Sequence, residues 1–114
     1  MRKLIAVIAV LFVLTGWTGA GFCDDDVANK TCGNMAKIAE LTMEKRQQGA
    51  DMVAMMAVID SMDHEGWKKV SREILIEAYK EPEHMTEKYK ERAVRTFKNM
   101  TYSSCLEAAK HHSK

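Results

Sequence analysis

The 114-residue sequence predicts an all-α protein: a small bundle of about four helices that follows a cleaved signal peptide and is held by one disulfide. Apolar residues recur with the period of a helix along most of the chain, and no β-branched run alternates with polar residues. Only one proline, Pro82, interrupts the helix-forming sequence. Helices joined by short turns are expected to pack as a compact bundle.

Residues 1–23 are predicted to be a secretory signal peptide. Two basic residues precede an eleven-residue apolar run, Leu4 to Leu14, and small residues follow it. A membrane anchor would need about 20 apolar residues. The small-x-small rule allows cleavage after Ala20 or after Cys23, and Phe22 argues against a lipoprotein because a small residue must precede a lipidated cysteine. Cleavage after Cys23, which we favour, leaves residues 24–114 as one helical domain.

The first predicted helix covers residues 29–48 and ends at Gly49, because glycine tolerates the left-handed backbone that follows a helix. Asp51 is then a natural N-cap, since its carboxylate can accept from the free amides of the first turn. The second helix is expected to fade near Ser61. Its methionines and Ile59 repeat at helical spacing.

The third and fourth helices are separated by Pro82, which is expected to end the third because the residue before a proline disfavours helical geometry. Thr86 is a candidate N-cap for the fourth helix, and the tail from Lys110 is expected to fray. The third apolar stripe contains Trp67, Val70, Ile74, Leu75 and Ala78. The fourth contains Tyr89, Ala93, Phe97, Met100 and Cys105. We expect Trp67, Ile74 and Phe97 to share one core.

Cys32 and Cys105 are expected to form a disulfide, because the chain is exported and these residues lie at opposite ends of the helical domain. Closing a loop of 73 residues contributes roughly 4 kcal/mol in the chain-entropy account. Two cysteines without nearby histidines make a poor zinc site. The bridge would tie the first helix to the last.

The charge of the chain is nearly balanced, at +1 overall, which gives no case for nucleic-acid binding. Its distribution is uneven. Residues 24–85 carry 8 basic and 13 acidic side chains, whereas residues 86–114 carry 7 basic and 3 acidic ones. Lys88, Arg92 and Arg95 are therefore candidate partner-binding residues on a basic face. The alternative is an ordinary solvated helix with local pairs such as Glu91 and Arg95.

Three short motifs resemble those of a family of small exported proteobacterial proteins, some of them phage-associated. The motifs are "MEKRQQG" at 43–49, "AYKEP" at 78–82 and "FKNMTYSSC" at 97–105. The resemblance implies a periplasmic or secreted protein and supports the pairing of Cys32 with Cys105. It implies no catalytic residue, because that family has no established activity. Cys23 departs from the family pattern.

No motif of an enzyme or of a cofactor site is present in the sequence. There is no H-E-x-x-H metal helix, no G-x-S-x-G nucleophile elbow and no glycine-rich phosphate loop. The "DHE" run at Asp63, His64 and Glu65 is the one hydrolytic candidate, and exposed turn residues explain it better. His111 and His112 lie in a tail expected to fray, which would make a weak metal site. We expect no catalytic residue, no cofactor and no bound metal.

The methionines allow three interpretations. Met52, Met55 and Met56 lie at the spacing of core residues, and methionine is an ordinary core filler. As thioethers they could instead hold Cu(I), a soft ion. A third interpretation is an adaptable surface for a partner protein. The sequence therefore favours a non-enzymatic exported protein that binds a protein or peptide in the cell envelope, without a stable membrane anchor, and leaves copper handling as the alternative.

Overall fold

The computed structural model describes residues 27–112, and these residues form four α-helices. Helix α1 covers 27–47, α2 Met52–Asp60, α3 Glu65–Ala78 and α4 Glu87–His112, and these residues contain no strand. The predicted all-α bundle is confirmed. None of the described helices is long and apolar enough to cross a membrane. The expected signal peptide and both cleavage sites lie outside the described residues.

The turn between α1 and α2 follows from local backbone chemistry. Gly49 has a φ of 85°, its amide donates to the carbonyl of Arg46 at 3.0 Å, and the amide of Ala50 donates to the carbonyl of Lys45 at 3.0 Å. These two bonds are the Schellman pattern, which satisfies carbonyls that the helix end leaves free. Asp51 then caps α2 by accepting from the amide of Ala54 at 3.0 Å. Both helix boundaries were predicted correctly.

Helix α3 ends earlier than the proline alone predicts. Its last residue is Ala78, and Tyr79 is the C-cap, so three residues separate the helix end from Pro82. The hydroxyl of Tyr79 donates to the carbonyl of Ala50 at 2.5 Å. This contact ties the end of α3 to the turn after α1.

Helix α4 starts as expected but extends farther than expected. The hydroxyl of Thr86 accepts from the amide of Tyr89 at 3.3 Å, as an N-cap does. The helix then continues to His112, so the expectation of fraying from Lys110 was wrong within the described residues. Alanines and a glutamate in the last turns favour helix and account for this continuation.

A small cluster at the centre of the protein joins three helices. Met43 of α1, Ala78 of α3 and Ala93 of α4 are buried together, and partly buried apolar residues pack around them. The small alanine side chains allow the helices to approach closely, and the long thioether of Met43 fills the space between them. The surrounding residues are Tyr79, Val94 and Phe97.

The single core expected for Trp67, Ile74 and Phe97 does not form. Phe97 packs against the central cluster, but Ile74, although buried, and Trp67, which is half-buried, are not part of it. Trp67 precedes Ala78 by eleven residues, which corresponds to about 17 Å along a helix, so distance separates Trp67 from the cluster. Ile74 lies only one turn before Ala78, and distance does not explain its place outside the cluster. Helix α3 also packs against α2.

The predicted disulfide between Cys32 and Cys105 is present, and the two Cα atoms are 5.5 Å apart. It joins the first half of α1 to the second half of α4. The thioether sulfur of Met35 lies 3.4 Å from the sulfur of Cys105. Two turns farther along, Lys98 of α4 pairs with Glu40 of α1 at 3.5 Å. These contacts hold the two helices side by side.

Candidate binding surfaces

A hydrogen-bonded latch connects the end of α1 to the loop before α4. The side chain of Gln47 is only 2% exposed. Its amide nitrogen donates to the carbonyl of Pro82 at 2.9 Å, and its amide oxygen accepts from the backbone amide of His84 at 2.8 Å. Lys90 donates to the backbone carbonyl of Gln47 at 2.6 Å. One buried amide thus satisfies two loop backbone groups that no helix satisfies.

Arg46 and Tyr79 form the second half of this latch. The guanidinium of Arg46 lies 4.9 Å from the centroid of the Tyr79 ring and donates to the carbonyl of Glu81 at 2.9 Å. Burial raises the pKa of Tyr79 above its ordinary value of 10.0, and the carboxylates of Asp51 and Glu83 raise it further, while Arg46 acts in the opposite direction. The phenol is therefore held in its neutral, hydrogen-bond-donating form.

The latch gives the sequence motifs a structural role. Met43, Arg46, Gln47 and Gly49 come from "MEKRQQG", and they supply a core side chain, two loop-binding side chains and the left-handed turn. The loop groups that they bind come from "AYKEP" and from the residues just after it. The motif "FKNMTYSSC" supplies Phe97 to the core and one end of the disulfide. All three motifs thus contribute residues that hold the fold.

A charged groove of about 840 Å³ lies between α1 and the first half of α4. Two of its cations are engaged, since Lys98 pairs with Glu40 at 3.5 Å and Lys90 with Glu83 at 3.8 Å. Its other charged residues form no ion pair: Glu44, Glu87, Glu91 and Arg95. The expected pair between Glu91 and Arg95 is therefore absent, although both line the same groove. The groove carries excess negative charge.

Lys88, Arg92 and Arg95 form an exposed basic stripe on α4. Their spacing of four and three residues places them on one face of the helix, and all three are exposed. The guanidinium of Arg92 lies 5.3 Å from the centroid of the Tyr89 ring, which limits its freedom. The structure therefore brings these three predicted candidates together on one surface, away from the buried side of the helix at Ala93.

Helix α2 has an exposed apolar surface. Val53 is 77% exposed and Val58 is 67% exposed, and Ala54 and Ala57 are exposed beside them. We call these four residues the outer face of α2. The opposite side of the helix carries buried Ile59, and α2 packs against α3. A helix that is apolar on all sides is normally buried. Here one complete apolar face of such a helix is open to solvent.

The outer face was not predicted from the sequence, because the methionines alone were taken as the apolar stripe of this helix. Met52, Met55 and Met56 are half-buried on the side toward α3, which partly supports their interpretation as core residues. The signal for the other face was present in the run "MVAMMAVI", which contains no polar residue on any side of the helix. The spacing of the methionines alone does not show that the opposite side of the helix is also apolar.

The hydrolytic candidate has a structural explanation. His64 is the N-cap of α3, and its Nδ1 accepts from the backbone amide of Trp67 at 3.1 Å. Glu65 pairs with Lys68 at 3.2 Å, and Asp63 is exposed. The lone pair of His64 that a general base would use at Nδ1 is thus occupied by helix capping.

The described side chains do not form a metal site of the histidine, cysteine or carboxylate type. No group of three or more histidines, cysteines, aspartates or glutamates among them is arranged to hold a metal ion. The side chains of His111 and His112 lie outside the described ones. The thioethers of Met52, Met55 and Met56 are the candidate soft-metal ligands that lie close together along α2.

Comparison with known protein families, with curated proteins and with solved structures gives no match for this chain.

Proposed function

We propose that this chain is an exported, non-enzymatic helical protein that binds another protein or peptide in the cell envelope, and that the outer face of α2 is its contact surface. The main support for this proposal is that Val53 and Val58 are exposed on a helix that has no polar residue between Met52 and Ile59. Leaving such a face in water is unfavourable by roughly 25 cal/mol per Å² of apolar area. A partner that covers it would recover that free energy.

The neighbouring methionines support adaptable binding at this face. Met52, Met55 and Met56 are half-buried and flank the outer face, and unbranched thioethers can change rotamer at low cost. The rest of the protein is held firmly by the disulfide and by the latch around Gln47. A rigid support with one soft apolar surface suits recognition of an apolar segment of a partner.

Site-specific photo-crosslinking in exporting cells tests this proposal. A photoreactive residue at Val53 or Val58 should yield a discrete adduct with a partner. The matched control is Val27, which is 61% exposed at the far end of α1 and should yield none. Adducts at Val27 equal to those at Val53, or no adduct from the outer face, would contradict the location. A third probe at Arg92 reports whether the basic stripe is the contact instead.

Copper binding is the second candidate. Met52, Met55 and Met56 lie at i, i+3 and i+4 on one side of the helix. They are only half-buried, so a copper ion could reach their sulfurs. Replacing all three by leucine keeps the apolar volume and removes the thioethers. If copper is the ligand, titration with Cu(I) against a chromophoric chelator should show binding that this triple variant loses. Equal Cu(I) affinity in the two proteins would contradict this candidate.

A further inference from the structure

The charges around the outer face of α2 indicate what kind of segment covers it, and this inference rests on the proposed function. Between Ala50 and Gly66 the chain contains four acidic residues and no lysine or arginine. These acids occupy both ends of α2 and the connection to α3: Asp51, Asp60, Asp63 and Glu65. An apolar helix is thus bordered at each end by negative charge.

The acids at the two ends are in solvent and two of them form no ion pair. Asp51 accepts from the amide of Ala54 as the N-cap but remains exposed, and Asp63 is exposed without an ion pair. Asp60 pairs with Arg72, and Glu65 pairs with Lys68 at 3.2 Å. Two carboxylates, one before α2 and one after it, are therefore available to a ligand.

The two available carboxylates lie before and after a helix whose nine residues span about 14 Å. Basic side chains seven and eleven residues apart lie on one face of a partner helix, about 11 and 17 Å apart, and these separations bracket the length of α2. An amphipathic helix lying along α2 can thus place apolar residues on Val53 and Val58 and a basic residue near each end.

We infer that the outer face of α2 binds a cationic amphipathic segment of a partner protein. A second copy paired through the same face would bring the unpaired carboxylates of Asp51 and Asp63 from both copies together, which is electrostatically unfavourable. An anionic lipid surface would meet carboxylates in place of cations. An acidic partner would be repelled in the same way. A cationic amphipathic segment complements both features of this surface, because its apolar side can cover the outer face and its basic side chains can pair with the carboxylates.

Three synthetic helical peptides test the inference with the exported, oxidised protein. They share one leucine stripe and carry lysine, serine or glutamate on the polar face. The dissociation constant is measured by calorimetry at about 0.05 M and about 0.5 M salt, because screening weakens exposed charge pairs. The lysine peptide should bind at least about tenfold more tightly than the glutamate peptide at low salt, and the difference should shrink at high salt.

Variants locate the site. Asp51→Asn with Asp63→Asn keeps a capping oxygen at residue 51 and removes two charges. It should weaken binding of the lysine peptide at least about threefold and leave the serine peptide unchanged. Val53→Ser with Val58→Ser should weaken both. The matched control, Glu44→Gln with Glu87→Gln, removes two unpaired carboxylates from the charged groove and should change neither.

The outcomes separate this inference from the proposed function. Equal binding of the lysine and glutamate peptides, each lost with the valine variant, would overturn the cationic partner but support docking at the outer face. If only the Glu44→Gln, Glu87→Gln variant loses binding of the lysine peptide, the peptide binds in the charged groove and the inference is overturned. Self-association that the lysine peptide cannot displace would identify a second copy as the occupant. Absence of binding by every peptide would overturn both proposals.

Discussion

The amide oxygen of Gln47 accepts a 2.8 Å hydrogen bond from the backbone amide of His84, 37 residues away. The same side chain donates to the carbonyl of Pro82. This buried glutamine thereby helps to fix the path of the loop that leads into α4, together with the contacts of Arg46 and Lys90. The same loop precedes the helix that carries the basic stripe and one half of the disulfide.

Gln47→Ala should destabilise the protein by roughly 1–3 kcal/mol, since two hydrogen bonds of a buried side chain are lost, each typically worth about 0.5–1.5 kcal/mol. Urea unfolding of the oxidised protein measures the change in the free energy of unfolding. Gln48→Ala is the matched control, because Gln48 is exposed one residue farther on, and it should cost less than about 0.5 kcal/mol. Similar losses for the two variants would show that the latch contributes little.

Tyr79 should make the protein sensitive to alkali. Its pKa is raised in the folded state, so above pH 10 the unfolded chain loses a proton that the folded protein keeps. Stability from this group is complete below about pH 10 and falls as the pH rises through the native pKa. Tyr79→Phe should cost about 1 kcal/mol at pH 7, through loss of the bond to Ala50, and should flatten the alkaline decline. Tyr102→Phe, at an exposed tyrosine, should leave that decline unchanged.

Removal of the Cys32–Cys105 disulfide should destabilise the protein by roughly 4 kcal/mol, because it closes a loop of 73 residues. Unfolding of the oxidised protein is compared with that of the Cys32→Ser, Cys105→Ser double variant. Non-reducing peptide mapping of the exported protein should recover the linked peptides. Recovery of both cysteines as free thiols would contradict the structure.

Phe97→Ala should cost roughly 1.5–3 kcal/mol, less than the 3–5 kcal/mol typical of a fully buried phenylalanine, because Phe97 is half-buried at the edge of the central cluster. Thermal unfolding with the disulfide intact measures the loss. Met100→Ala, at a residue 60% exposed on the same helix, should change stability by less than about 0.5 kcal/mol. A loss at Phe97 no larger than that at Met100 would exclude a core role.

The mature protein should begin at Asp24 and contain two cysteines. Cleavage after Cys23 leaves no unpaired thiol in an oxidising compartment. The intact mass of the exported protein distinguishes this start from Gly21. A mass that begins at Gly21, or a dimer that dissociates on reduction, would show that Cys23 is retained.

The helix boundaries that depend on neighbouring residues could be read from the sequence. Gly49, Asp51 and Thr86 act within three residues of their own position, so their roles follow from local backbone chemistry. The expectation of export and the positions of two cysteines at opposite ends of the helical domain were enough to predict the pairing of Cys32 with Cys105. The cap formed by His64 was missed, because histidine is a less common N-cap than the aspartate before it.

The tertiary structure alone decided which groups meet across the chain and which remain in solvent. The bonds of Gln47 join residues 35 and 37 positions apart, and no local pattern specifies such partners. Glu91 and Arg95 had suitable spacing but form no pair, since an exposed ion pair gains too little to fix two long side chains. For α2, apolar on every side, periodicity cannot select the buried face. Packing against α3 selects it, and Val53 and Val58 are left exposed because no other described element covers them.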